Sequence, residues 1–284
     1  MSSDQSYVET VVNYYDHTWF DYRVVWARHL AMHFGWWDAQ TRSHADSVVK
    51  INQVLADAVG LRPGERVLDA GCGVGGSTLW LAKHYGVEGV GVTLSAKQVA
   101  LAQRFAKRQG LEHLATFEQH DFTQMTFPDE SFDVVWAQES VAHPPHQGKQ
   151  AFLREAYRVL RPGGRLMVED AFRYRRPYPD EDEAFLHTFL SGWAIADIPT
   201  NEEFVTWTEE VGFHDLEQKD ITANILPSMR YLYRMGLLLY PSEVPLRMLR
   251  IRSACQHANA RSSLLQWRAY KKGLWYVQTL IARK

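Results

Sequence analysis

The chain has 284 residues, of which 46% are hydrophobic and 23% charged, with a formal net charge of −2. This is the make-up of a globular protein with room for one large α/β domain, and the near-neutral balance excludes a global basic field for nucleic acid. Two cysteines, Cys72 and Cys255, are too few for a disulfide framework or a zinc site, so no metal is expected.

The chain opens without a basic n-region or an apolar leader. Residues 7–60 read as helical: Tyr7, Val11, Tyr14 and Tyr15 recur at helical spacing, and Gly35 and Asp38 interrupt the pattern. A second helix runs from about Ser43 to Gly60. Tyr22, Trp26 and Phe34 give this segment more rings than a packing helix needs. Its two readings are a lid over a ligand and plain packing on the sheet.

Arg66-Val67-Leu68 is a short apolar strand ending in Asp69. Gly71, Gly73, Gly75 and Gly76 follow, and Ser77 opens a helix. Such a turn lets a ligand lie against bare main chain. The acid precedes the glycines, unlike the dinucleotide fingerprint. A carboxylate there suits a ligand carrying a positive amino group, which points to S-adenosylmethionine.

A second strand over 89–95 ends in Thr93-Leu94-Ser95 where a ribose-binding carboxylate is common, and Gln98 lies in the next helix turn. Hydroxyls and an amide can also hold a diol. After a third strand, 115–119, Asp121 and Phe122 offer a carboxylate and a ring for an adenine. The fourth strand, 132–137, leads into Gln138, Glu139 and His143, and the fifth, 165–170, ends in Glu169 and Asp170. Ligands of open α/β sheets sit off the carboxyl ends of strands. That position makes Glu169 the first candidate base or cation stabiliser, followed by Glu139 and His143. Arg173 and Arg176 then read either as an anion site or as a solvated loop.

Helices over 183–196, with Trp193, and from the Thr200 cap to Gly212 precede a sixth strand. Residues 227–271 form a helical insertion, and a last strand covers 275–282. The insertion reads as a substrate cover or as a homo-oligomer interface. Its apolar run from Met235 is short and stopped by Pro241, so no stable membrane insertion is expected. The expected location is cytoplasmic.

Taken together, Val67–Gly76, Gly91–Ser95 with Gln98, His120-Asp121-Phe122, Phe132–Trp136 and Leu160–Gly164 resemble the class I S-adenosylmethionine-dependent methyltransferases. Trp136–His143, Met32–Asp38 and Trp193–Pro199 are most similar to the sterol, tocopherol and terpenoid C-methyltransferase branch. The resemblance implies a Rossmann-like α/β sheet of seven strands, parallel with one antiparallel edge strand. It implies an N-terminal helical lid (1–60), a cofactor-binding core (61–225), a helical insertion over the acceptor (226–272) and a last core strand (273–284). Asp69, Gly71 and Gly73 would cradle the methionine part of the cofactor. Thr93, Leu94, Ser95 and Gln98 would meet the ribose, Asp121 and Phe122 the adenine, and Gln138 would lie beneath. Methyl transfer to carbon of a small lipophilic isoprenoid is the reaction implied. O- or N-methylation of an aromatic or amine natural product is the alternative, and Tyr22, Trp26, Phe34, Trp193, Arg173 and Arg176 are the candidate acceptor contacts.

Overall fold

The computed structural model describes residues 3–26 and 30–284; Met1, Ser2 and 27–29, part of the leader and lid readings, lie outside it. The first helix, α1 (Ser3–Asp21), widens into a π-helical turn at Tyr22–Trp26. Helix α2 (His44–Val59) follows, capped by Ser43, whose hydroxyl accepts from the Asp46 N–H. It buries Val48, Ile51, Leu55 and Val59 at helical spacing.

Strand β1 (Arg66–Ala70), helix α3 (Gly76–Tyr85), strand β2 (Glu88–Thr93), helix α4 (Ala96–Gln109) and strand β3 (Ala115–Gln119) make two consecutive βαβ units with parallel strands. Then come β4 (Phe132–Gln138), α5 (His146–Val159), β5 (Leu160–Phe172), α6 (Asp180–Ser191), α7 (Asn201–Val211) and β6 (His214–Asp220). Thr200 closes the start of α7 in a reciprocal capping box with Glu203. The insertion is a helical pair, α8 (Thr222–Met248) and α9 (Ala254–Lys271), before β7 (Tyr276–Arg283).

The seven strands lie in the order β3-β2-β1-β4-β5-β7-β6. All run parallel except β7, which is antiparallel to both β5 and β6, one place in from the β6 edge. The strand order reverses between β1 and β4, so their carboxyl ends open a crevice there. Pro241 does not stop the apolar run: α8 continues through it and Pro245, both on the exposed face. On that face water can take the carbonyls a proline leaves unpaired.

Candidate functional site

The first half of the site is built by the β1 turn. Gly71 has φ 96°, and a Cβ there would fall 2.4 Å from the Cβ of Ser140. Gly75 has φ 84°, with the Phe117 ring 2.6 Å from its Cβ position. Neither place admits a side chain. Asp69 is buried at the strand end and accepts from the Thr78 hydroxyl at 2.5 Å. Burial pushes its carboxyl up to about 6, against the pull of the Thr78 hydrogen bonds. The Ser77 hydroxyl lies 3.0 Å from Gln138 Oε1.

At the end of β2, Thr93 donates to Gln98 Oε1 at 2.6 Å. Ser95 caps α4 and donates to Asp16 of α1 at 2.6 Å. Lys97 also donates to the Asp16 carbonyl at 2.7 Å, so the N-terminal helix is tied to the end of β2. Thr93, Ser95 and Gln98, with the glycine turn, surround a cavity of about 70 Å³ roofed by Tyr7, Val11 and Met32; Asp16 and Lys97 stand outside its lining. Every expected cofactor residue lines it except Asp121. Asp121 instead folds its carboxylate back onto the Thr123 N–H and hydroxyl, at 2.9 and 2.7 Å, in a local turn.

A second cavity, of about 280 Å³, lies beyond the first. Tyr22, Trp26, Phe34 and Trp193 line it, with Trp275 at its base. Phe34 is the hub: its ring centroid is 5.7 Å from Trp26, 6.4 Å from Trp193 and 6.2 Å from Trp275. At the far end Arg252 joins Asp21 through two bonds of 2.5 and 2.7 Å and also meets Glu243 at 3.0 Å. Among the described lining residues Arg252 is the only lysine or arginine, and two carboxylates neutralise it.

Five residues line both cavities: Tyr15, Met32, His33, Glu139 and His143. His143 Nδ1 faces the Ala194 carbonyl at 3.1 Å, which requires a proton on that nitrogen. Nε2 is then an acceptor and takes the Tyr15 hydroxyl proton at 2.7 Å. Burial first, with Lys149 adding to it, holds the imidazole down to about 4 despite the Ala194 hydrogen bond, so it is neutral at ordinary pH and only weakly basic. Lys149 is itself buried and braces the loop, donating to the Ala142 and Pro144 carbonyls at 3.1 and 2.5 Å.

Glu139 sits at φ 47°, a left-handed conformation that costs a non-glycine residue on the order of 1 kcal/mol. The turn aims its carboxylate at the Phe34 N–H, 2.6 Å away, while its own N–H donates to the Glu169 carbonyl at 2.7 Å. Burial raises Glu139 to about 8; the Phe34 bond opposes that and the Asp170 charge reinforces it. Asp170 lines the larger cavity and accepts from the Ala142 and Ala171 N–H groups at 2.9 and 2.7 Å.

Glu169 stands apart from both cavities: it is fully buried and lines neither among the described residues. Burial first, then the charges of Glu139 and Asp170, raise its carboxyl well above the usual range, and the Gln138 side chain opposes the shift. Arg173 and Arg176 also stand outside the cavities. Arg173 is buried against Glu183 and stacks 4.8 Å from the Tyr178 ring centroid, and Arg176 pairs with Asp197 and Glu203 at 2.5 and 2.9 Å. Carboxylates of this chain already use the guanidiniums an anion would need. Arg176→Ala is therefore expected to leave the acceptor KM within about twofold and to cost at most about 1 kcal/mol of stability in urea unfolding.

A methyltransferase domain family matches residues 67–164, the stretch from β1 into β5. The 27-O-demethylrifamycin SV methyltransferase of Amycolatopsis mediterranei (strain S699) is 32% identical over 204 residues, 72% of this chain and 73% of that protein. A sterol 24-C-methyltransferase of Aspergillus fumigatus is 34% identical over 188 residues, covering 64% of this chain but only 48% of that protein. Among solved structures, the cyclase SpnF aligns over 98% of this chain and 96% of its own, with a TM-score of 0.81 and 25% identity. Geranyl diphosphate C-methyltransferase from Streptomyces coelicolor A3(2) aligns over 98% and 97%, with a TM-score of 0.70 and 18% identity. These names span O-methylation, C-methylation and cyclisation, so the shared fold does not fix the acceptor atom.

Proposed function

Because the chain belongs to the S-adenosylmethionine-dependent methyltransferases, we propose that its acceptor is a neutral, lipophilic molecule of isoprenoid type, methylated on carbon. One observation carries this reading. The wall of Tyr15, Glu139 and His143 separates the glycine-turn cavity from an aromatic cavity whose charged lining is acidic apart from a neutralised Arg252.

The residues around the smaller cavity suit the cofactor: the bare turn at Gly71 and the Asp69 carboxyl supply backbone access and negative charge. When bound, S-adenosylmethionine would supply an electrophilic methyl group carried on a positive sulfur, to be taken by the acceptor's π electrons. The acceptor is left with a positive carbon. The faces of Phe34 and Trp193 stabilise that charge. Tyr15 takes the proton the acceptor then loses and passes its own to His143 Nε2. The product is an alkene, a neutral tyrosine and an imidazolium held by the Ala194 carbonyl.

The geranyl diphosphate enzyme acts, by its name, on a diphosphate. Here such an anion would face Asp21, Glu139, Asp170 and Glu243 with no unpaired guanidinium among the described lining residues. The same Tyr15–His143 pair would serve O-methylation of a hydroxyl; the acidic, ring-rich lining is what favours carbon. A labelled-methyl screen tests this. Sterols, prenols and prenylated quinols should accept label on carbon. Transfer confined to isoprenyl diphosphates, or to phenol oxygen or amine nitrogen, would sink the reading.

A further inference from the structure

Helix α8 is apolar on two opposite faces. Leu232, Met235, Gly236, Leu239, Glu243 and Leu246, at helical spacing, line the acceptor cavity. Leu237, Pro241, Val244 and Met248 recur on the other side at the same spacing, with Leu238 beside them, and Leu249 and Ile251 follow just past the helix end. That second face is exposed: Leu238 is 71% and Met248 81% accessible. Phe20, at the end of α1, is 67% accessible and lines the same cavity, a second exposed apolar side chain that belongs to it.

A helix apolar all round is normally buried on every side. The charges around this face are of one sign. Arg234, Arg247 and Arg250 are exposed and, among the described residues, enter no ion pair. The one acid in residues 227–253, Glu243, is buried and bound to Arg252. Apolar side chains rimmed by arginine are the make-up of a helix lying in a lipid headgroup layer. Among the described residues no helix is long and apolar enough to cross a membrane, so this contact is with the surface.

We infer that the exposed face of α8, with Phe20 and Ile251, docks on an anionic lipid bilayer and places the mouth of the acceptor cavity at the membrane surface. A lipophilic acceptor then passes from the bilayer along α8 without crossing water. The inference stands on the patch and its charge, and vesicle binding reads it whichever atom is methylated.

The test is co-flotation of the full chain with vesicles of phosphatidylcholine alone or mixed equally with phosphatidylglycerol. The wild type should bind the mixed vesicles about tenfold better, with binding weakened by salt. A Leu238→Ser, Met248→Ser, Leu249→Ser triple variant should lose about tenfold or more of that binding. Its unfolding midpoint and S-adenosylmethionine affinity should stay those of the wild type, which separates lost docking from lost folding. Arg247→Gln with Arg250→Gln should abolish the preference for anionic lipid. A wild type that stays in the soluble fraction with both vesicles overturns the inference, as does a triple variant that floats unchanged. Sedimentation showing a dimer that the triple variant dissolves would also overturn it, by giving the face to a second copy of the chain.

Discussion

His143→Ala is expected to lower kcat by about 10²–10⁴-fold, the usual worth of a positioned base, while S-adenosylmethionine affinity changes far less. Tyr15→Phe keeps the ring and removes only the hydroxyl that bonds Nε2, so its loss should fall on kcat with KM nearly unchanged. The pH profile separates this role from a structural one. The imidazole is held down to about 4, so it is unprotonated and free to accept a proton from about pH 5 upward. Activity should therefore fall on the acid side only below about pH 5. An acid limb near the ordinary 6.5 of histidine would place the base elsewhere. Glu169→Gln is the contrasting variant. Its carboxyl lines neither cavity, so turnover should persist, and a loss comparable to that of His143→Ala would restore Glu169 to the chemistry.

The contrast between Glu169 and His143 shows where sequence reasoning reached and where it stopped. Strand ends, the glycine turn and the Thr200 cap are local patterns, and residues within a few positions of one another determine them. Position at a strand end gives the edge but not the face. Successive side chains of β5 point to opposite sides, so Asp170 reaches the cavity and its neighbour Glu169 does not. Arg173 and Arg176 looked like an anion site because Glu183, Asp197 and Glu203, which neutralise them, lie downstream of the run. Asp121 is followed two residues on by Thr123, a local partner that could have been noticed.

The pairs that assemble the site were not legible. Tyr15 meets His143 across 128 residues, Asp16 meets Ser95 across 79, and Asp21 meets Arg252 across 231. Helical spacing gives α1 an apolar face but does not name what its tyrosines and aspartates touch. All three partners lie on different elements, so α1 is what joins the cofactor side, the acceptor side and the insertion.

The second large effect is on stability. Raising the pH from about 6.5 to about 8 is expected to cost the fold on the order of a few kcal/mol. The cause is a set of adjoining buried carboxyls. Burial raises Glu139 to about 8 and Asp170 to about 6, and it raises Glu169 well above its usual range. An unfolded chain ionises all three near pH 4, whereas the folded chain keeps protons on them to higher pH. The folded state therefore binds more protons across this interval, and its stability, fully present below about pH 4, falls as pH rises through these values. Buried His33 and His143 and half-buried His44, each lowered to about 4, act in the opposite sense, but only below about pH 6.5 where an unfolded histidine takes up a proton. Lys149, lowered to about 8, begins to offset the loss only above that value. The window between is left to the carboxyls, chiefly Glu139 and Glu169. Glu169→Gln keeps the shape and removes the ionisable group, so it should stabilise the chain at pH 8 by about 1–3 kcal/mol and flatten the slope. Urea unfolding of the wild type and this variant at the two pH values measures it. A wild type at least as stable at pH 8 as at pH 6.5 would mean that these carboxyls ionise in place, and that water or the chain solvates them in solution.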